Sequence, residues 1–170
     1  MAPFVQLQTD TEGNTSPCAV LDGIWKNKED PWEHAELNDM RHKHANNIKD
    51  SRCDTCWKKE ELGFESYRER FNSNHRFNVA EALMSIEDES YKQGPKILYL
   101  KNGNVCNLQC RMCDPQWSNQ IQKEYQRLGW PTANYEFEYT GFNIIDFDNL
   151  HRLYVAGGEP TVQTQFLNFL

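Results

Sequence analysis

The chain has 170 residues, a net charge of −7, 38% hydrophobic residues and 25% charged residues. This length predicts one domain or two small ones, and the composition excludes collagen-like, low-complexity and largely disordered proteins. The acidic balance argues against nonspecific nucleic-acid binding, which requires a cationic surface. No apolar run reaches the ~18 residues of a membrane span, and no secretory signal is visible, so a cytoplasmic protein without membrane contact is expected.

The first half of the chain is predicted to fold as a small α+β region. Residues 1–22 have the pattern of a hairpin, and residues 31–50 have the periodicity of a helix. Charged helical sequence follows over residues 58–71, where Gly63 is expected to break the helix. Residues 79–86 are predicted to form another short helix.

The second half of the chain has the pattern of a βαβ unit. A buried strand is predicted over residues 96–101, and a helix begins after it with Asp114 as its N-cap and ends at Gly129. A second buried strand is predicted over residues 152–156, and a further helix begins near residue 164. Because the two strands are parallel, the loops at their carboxyl ends lie side by side, where α/β proteins place their active sites.

The six cysteines form two groups of three, and no cysteine is left over. The first group is Cys18, Cys53 and Cys56, and the second is Cys106, Cys110 and Cys113. Without an export signal a reducing compartment is expected, where clustered thiols more often bind metal than form disulfides. Three close thiolates can hold an iron–sulfur cluster with one iron left open, and the alternative is a closed zinc site or three buried thiols.

The loop that carries the second group resembles the signature of the radical S-adenosylmethionine (radical SAM) superfamily. Its sequence from residue 103 is G-N-V-C-N-L-Q-C-R-M-C, which matches the family pattern CxxxCxΦC with Met112 at Φ. Gly157-Gly158-Glu159 resembles the family's GGE motif after the second barrel strand. The resemblance implies the start of a partial (β/α)6 barrel. It also implies a [4Fe–4S] cluster on Cys106, Cys110 and Cys113 whose fourth iron chelates SAM, with residues 157–159 along the SAM amino group and Met112 near its adenine.

The resemblance further implies an enzyme that cleaves SAM reductively and starts radical chemistry on its substrate. The electron would come from a flavodoxin-type or ferredoxin-type donor. The substrate would be a peptide or a small molecule, and the sequence does not identify it. The alternative is a noncatalytic zinc-binding or iron-binding module without SAM chemistry, for which the Gly-Gly-Glu sequence would have no use.

The first cysteine group resembles the SPASM/twitch auxiliary modules of radical SAM enzymes. Cys18 is similar to their hairpin cysteine, and Cys53 with Cys56 is similar to their later CxxC before a charged helix. The resemblance implies an auxiliary iron–sulfur cluster, and zinc is the alternative. The chain departs from the pattern because the module precedes the barrel and a fourth cysteine is missing. The remaining ligand would be an external group or one of three histidines: His34, His42 and His44.

Three regions are therefore predicted: a SPASM/twitch-like module over 1–75, a helical linker over 76–95, and the start of a radical SAM barrel over 96–170. A full barrel takes ~250 residues. We therefore expect the chain to be truncated or one half of a split enzyme, inactive alone, with the rest of the barrel as its partner. Ile97–Leu100 and Leu153–Ala156 are expected to be partly exposed unless another chain covers them.

Overall fold

The computed structural model describes residues 1–9, 14–21, 30–73, 79–135 and 148–169. The helices in these ranges are α1 Ala2–Val5, α2 Ala35–Ala45, α3 Asp54–Glu61, α4 Tyr67–Ser73, α5 Val79–Glu87, α6 Asn119–Leu128 and α7 Thr164–Phe169. The strands are β1 Gln6–Thr9, β2 Thr15–Ser16, β3 Ile97–Lys101 and β4 Arg152–Ala156, and short 3-10 helices cover Ser51–Cys53, Ser90–Gln93 and Pro160–Val162. Among the described helices, none combines the length and the apolarity that crossing a membrane requires.

The four strands form one sheet in the order β2-β1-β3-β4. β1 and β2 pair antiparallel, which confirms a hairpin, although residues 10–13 of its turn lie outside the described residues. Its predicted extent over residues 1–22 is wrong, because Ala2–Val5 form α1 and residues 17–21 are turns and bends. β3 and β4 pair in parallel with α6 between them, which confirms the predicted βαβ unit. The parallel pairing of β1 with β3, with Leu7 opposite Leu98, joins the two halves of the chain and was not predicted.

The core lies on both faces of β3. On one face Leu98 and Leu100 pack with Leu7, and helices α2 and α7 cover them with Leu37 and Phe166. On the other face Ile97 packs with residues of α1 and α5, namely Phe4, Val5 and Ala82. Burial on both faces explains why β3 is an almost continuous apolar run in the sequence.

The expectation that Ile97–Leu100 would be partly exposed is wrong except at Tyr99, which is half-buried. Ile97, Leu98 and Leu100 are at most 2% exposed, because helices of the same chain cover both faces of β3, while β1 pairs with the edge that β4 leaves free. The expectation is confirmed for β4, which is an edge strand with 42% of Tyr154 exposed.

The sheet also bears on the predicted division into regions. β1 belongs to the predicted N-terminal module and β3 to the predicted barrel, so the boundary near residue 75 does not coincide with a break in the sheet. The architecture of the described residues is mixed α/β with an open four-stranded sheet, and the (β/α)6 barrel stays a prediction.

The helix ends agree with the sequence only in part. α2 is shorter than the predicted residues 31–50, because His34 caps its start and Asn47 beyond its end has a φ of +55°, and α3 begins at Asp54, before the predicted residue 58. Gly63 separates α3 from α4 with a φ of +77°, as predicted, and Gly129 ends α6 with a φ of +69°. The predicted N-cap of α6 at Asp114 is wrong, because the helix begins after Ser118. Asp114 instead forms a turn, in which its carbonyl accepts hydrogen bonds from the backbone N–H groups of Trp117 and Ser118.

Arg41 ties α2 to the N-terminal segment. The residue is 2% exposed, and its guanidinium stacks 4.2 Å from the centre of the Trp32 ring. It donates to Pro3 O at 2.9 Å, to Trp32 O at 2.8 Å and to Asn38 Oδ1 at 2.7 Å. Burial lowers the pKa of Arg41 to about 10, so the group stays charged at neutral pH and depends on these acceptors.

We expect Arg41→Lys to lower the free energy of unfolding by about 2 kcal/mol, because an ammonium cannot reach all three acceptors or stack as a planar group. Chemical denaturation of the metal-free protein measures the change. Arg127→Lys is the matched control, since the Arg127 side chain is 76% exposed, and it should change the stability by less than about 0.5 kcal/mol. Equal effects of the two substitutions would contradict the structural role of Arg41.

Candidate functional site

The second cysteine group lies in the loop between β3 and α6. Cys106 is buried, Cys113 is half-buried and Cys110 is exposed. The loop turns tightly, with the Cys113 N–H donating to Cys110 O at 3.0 Å. The Leu108 N–H donates to Cys106 Sγ at 3.4 Å, which holds the sulfur against the backbone of its own loop.

Buried polar side chains hold this loop against α6. Asn104 is 3% exposed and donates to Gln122 Oε1 at 3.2 Å and to Pro115 O at 3.5 Å. The Ser118 hydroxyl donates to Leu108 O at 3.0 Å and also accepts from Ile121 N, which makes it the N-cap of α6. These bonds fix both ends of the loop while Cys110 stays at the surface.

The Gly-Gly-Glu sequence lies beside the start of the cysteine loop, as the parallel topology predicted. The Gly158 N–H donates to Trp117 O at 3.0 Å, and the Glu159 N–H donates to Val105 O at 2.9 Å. Val105 immediately precedes Cys106. The predicted convergence of the two loops is therefore confirmed by direct backbone hydrogen bonds.

Both glycines are required by this close approach. Gly157 has a φ of +92° and Gly158 a φ of +58°, a backbone region that favours glycine. A Cβ on Gly157 would lie 2.6 Å from Gly103 O, and a Cβ on Gly158 would lie 2.2 Å from Val105 O. The two loops consequently pack backbone against backbone at Gly157 and Gly158, which form a glycine cradle for the start of the cysteine loop.

Glu159 and Met112 have different environments. The Glu159 carboxylate accepts from the Thr161 hydroxyl at 2.7 Å and from the Thr161 N–H at 3.1 Å, and these bonds lower its pKa. Its side chain thus caps the following 3-10 helix, while its backbone N–H contacts the cysteine loop. Met112 is 95% exposed and leaves one side of the cysteine loop open.

The donor set of this loop suits a cluster with one open iron, because three thiols lie within eight residues and the glycine cradle adjoins them. Burial raises the pKa of Cys113, and the neighbouring Cys110 and Cys106 raise it further, so the three sulfurs are electrostatically coupled. In the part of the chain that the structure describes, no three His, Cys, Asp or Glu side chains are arranged as a preformed metal site.

The first cysteine group lines a single cavity among α1, α2, α3, α4 and the segment that follows β2. Cys18, Cys53 and Cys56 all contribute to its wall, together with His44. His44 Nε2 lies 3.6 Å from Cys53 Sγ. The Asp50 side chain caps the 3-10 helix that carries Cys53 and is held by Arg52, which fixes the start of the CxxC segment.

The three histidines proposed for this group are separated by the structure. His44 lies in the cavity wall, whereas His42 is exposed and His34 caps α2 by accepting from the Glu36 N–H. Burial lowers the pKa of His44 to about 4 and raises that of Cys53 to about 11, so in the metal-free protein both groups are neutral at pH 7.

Sequence reasoning missed the polar residues that hold the loops together, chiefly Asn104, Ser118 and Gln163. Each is at most 3% exposed although its residue type is usually found at the surface. Ser118 could have been found as an alternative N-cap, since it directly precedes the periodic apolar positions of α6. Asn104 and Gln163 carry no local signal, because their partners lie on other elements.

Fold and site together describe an α/β protein in which a three-cysteine loop and a glycine loop meet at the carboxyl ends of neighbouring parallel strands. The chain is similar to 7-carboxy-7-deazaguanine synthase of Clostridium acetobutylicum, a radical SAM enzyme, with 26% identity over 94 residues. The match covers 55% of this chain and 38% of that protein, so the chain spans well under half of its relative's length. No protein-family model matches the chain, and no solved structure matches it significantly. This partial similarity supports at most a distant relationship with the radical SAM superfamily.

Proposed function

We propose that residues 96–169 carry the SAM-binding centre of a radical SAM enzyme. The observation that supports it most is the pair of backbone hydrogen bonds that join the Gly-Gly-Glu loop to the cysteine loop. Cys106, Cys110 and Cys113 would hold a [4Fe–4S] cluster. When bound, the cluster would supply one electron for the reductive cleavage of SAM.

In this proposal the chain's own residues bind the cluster and SAM and orient them. Gly157 and Gly158 let the Gly-Gly-Glu loop pack against the backbone of the cysteine loop, which would set its position for SAM, and Glu159 fixes the exit of the loop through its bonds to Thr161. The buried Cys106 anchors the cluster on the protein side, and the exposed Cys110 and Met112 lie where SAM and the electron donor have access. The hydrogen bond from the Leu108 N–H to Cys106 Sγ would hold that sulfur in place for iron.

The remaining components of the enzyme follow from the same proposal. The electron donor is a flavodoxin-type or ferredoxin-type protein of the cytoplasm, and the substrate is a peptide or a small molecule. Among the described strands β4 lies at the edge of the sheet, and a further barrel strand would pair there.

We also propose that the first cysteine group holds an auxiliary iron–sulfur cluster or zinc. The shared cavity of Cys18, Cys53 and Cys56 supports this assignment, and the 3.6 Å separation of His44 from Cys53 makes His44 the histidine nearest to such a metal. For two ligands of one tetrahedral zinc, metal–ligand distances of ~2.3 Å and ~2.1 Å give a separation of about 3.6 Å.

Anaerobic reconstitution of the chain with iron and sulfide tests the proposed function. We expect brown protein with broad absorbance near ~400 nm and an electron paramagnetic resonance (EPR) signal of the reduced cluster that changes when SAM is added. Two outcomes would instead support the noncatalytic metal-binding module. One is a colourless protein that retains only zinc, and the other is a cluster whose EPR signal does not change when SAM is added at millimolar concentration.

A further inference from the structure

Gln163 lies between the two loops of the candidate site. It follows the 3-10 helix Pro160–Val162, directly precedes α7, and is 2% exposed. Its side-chain Nε2 donates to Val105 O at 3.2 Å and to Gly157 O at 3.3 Å. One amide group therefore bridges the residue that precedes Cys106 and the first residue of the Gly-Gly-Glu sequence.

The surroundings of this amide leave little room for movement. A Cβ on Gly158 would lie 2.9 Å from Gln163 Nε2. When the side-chain nitrogen of the buried Asn102 faces the end of β4, it donates to Ala156 O at 3.0 Å and to Gly157 O at 3.1 Å, and its oxygen lies 3.1 Å from Gln163 Oε1. The end of β3, the end of β4 and the residue before α7 thus meet in one buried polar cluster.

Gln163 is itself held from the core side. Its carbonyl accepts from the Leu167 N–H at 3.0 Å, and Phe166 of α7 packs in the same core as Leu98 and Leu100. A buried amide is costly unless its donors are satisfied, so the two carbonyls and the Gln163 side chain constrain one another. The position of α7 therefore helps to set the distance between the two loops.

We infer that Gln163 is a positioning residue that fixes the Gly-Gly-Glu loop against the cysteine loop. The consequence for SAM binding rests on the proposed function. Without the two donors, the loops would keep only the backbone bonds from Gly158 and Glu159 and the bonds from Asn102. The glycine cradle would then fluctuate relative to the three cysteines, while the cysteines themselves would be unchanged.

Gln163→Met tests the inference because methionine has nearly the same length and no N–H donor. Hydrogen–deuterium exchange of the metal-free protein reports the two backbone bonds directly, and we expect the amides of Gly158 and Glu159 to exchange about tenfold faster. Gln126→Met is the matched control, since Gln126 is exposed on α6, and it should leave this exchange unchanged. Gln163→Glu is a second variant in case the first does not fold, because it keeps the shape and replaces the donor by an oxygen.

The SAM-induced change of the EPR signal gives a second readout that a loss of stability alone would not move. We expect Gln163→Met to bind as much iron as the unsubstituted chain but to need about tenfold more SAM for half of the spectral change. Unchanged exchange in both variants would overturn the inference. Faster exchange in a chain whose cluster never responds to SAM would support the positioning role and overturn the proposed function.

Discussion

Replacing any one of Cys106, Cys110 and Cys113 by alanine is expected to abolish cluster assembly at this loop and the response of the protein to SAM. The physical reason is that two thiolates cannot hold three irons of a cubane in place. After anaerobic reconstitution, iron and sulfide analysis should show the loss of roughly four irons per chain. The SAM-dependent EPR change should disappear together with them.

A matched set of variants removes one thiol at a time from the cavity of the first cysteine group: Cys18→Ala, Cys53→Ala and Cys56→Ala. These variants should lose the auxiliary metal and keep the SAM-dependent EPR change. Undiminished iron in the first set, or a SAM response that survives there, would contradict the assignment of the cluster. Metal content unaffected by the second set would contradict the auxiliary site alone.

Of the single methyl groups that could be added to the glycine cradle, the one added by Gly158→Ala should disrupt it most. Its Cβ would lie 2.2 Å from Val105 O, a backbone atom that cannot move without shifting the cysteine loop. We expect the free energy of unfolding to fall by about 3 kcal/mol, of which about 1 kcal/mol comes from the positive φ and the rest from the steric clash. Chemical denaturation measures the loss, and SAM should no longer change the EPR signal.

Gly129→Ala separates the cost of the positive φ from the cost of the steric clash. Gly129 has a φ of +69°, close to the +58° of Gly158, but nothing lies within 4 Å of the position of its Cβ. This control should cost about 1 kcal/mol and leave the response to SAM intact. If both substitutions cost the same, the close approach of the two loops would not be a feature of the protein in solution.

The βαβ unit could be predicted because its signals are local. The apolar run of β3, the 3.6-residue periodicity of α6 and Gly129 after it each depend on residues that are neighbours in the sequence. Once the two strands are taken as parallel, chain connectivity alone requires the cysteine loop and residues 157–159 to meet. For this reason the convergence could be predicted without any contact being known.

The start of α6 shows the limit of such reasoning. Asp114 and Ser118 are both good N-caps, and intrinsic preference does not decide between them. The structure selects Ser118 because its hydroxyl also bonds to Leu108 O and because the following N–H, that of Asn119, donates to Asn104 O at 2.8 Å. Both partners belong to the cysteine loop, so tertiary contacts decided the boundary.

The sequence by itself determined the local elements, the spacing of both cysteine groups and the edge of the sheet at which the second group lies. Only the tertiary structure decided that β1 pairs with β3, that His44 and not His42 adjoins Cys53, and that Gln163 bridges the two loops. The physical reason is that each of these depends on partners distant along the chain. The alternation of β1 would predict one buried face, yet Gln6 and Leu7 on opposite faces are both fully buried, and the pattern does not indicate which strand edge β1 pairs with. The sequence likewise gives no sign of the carbonyls to which Gln163 donates.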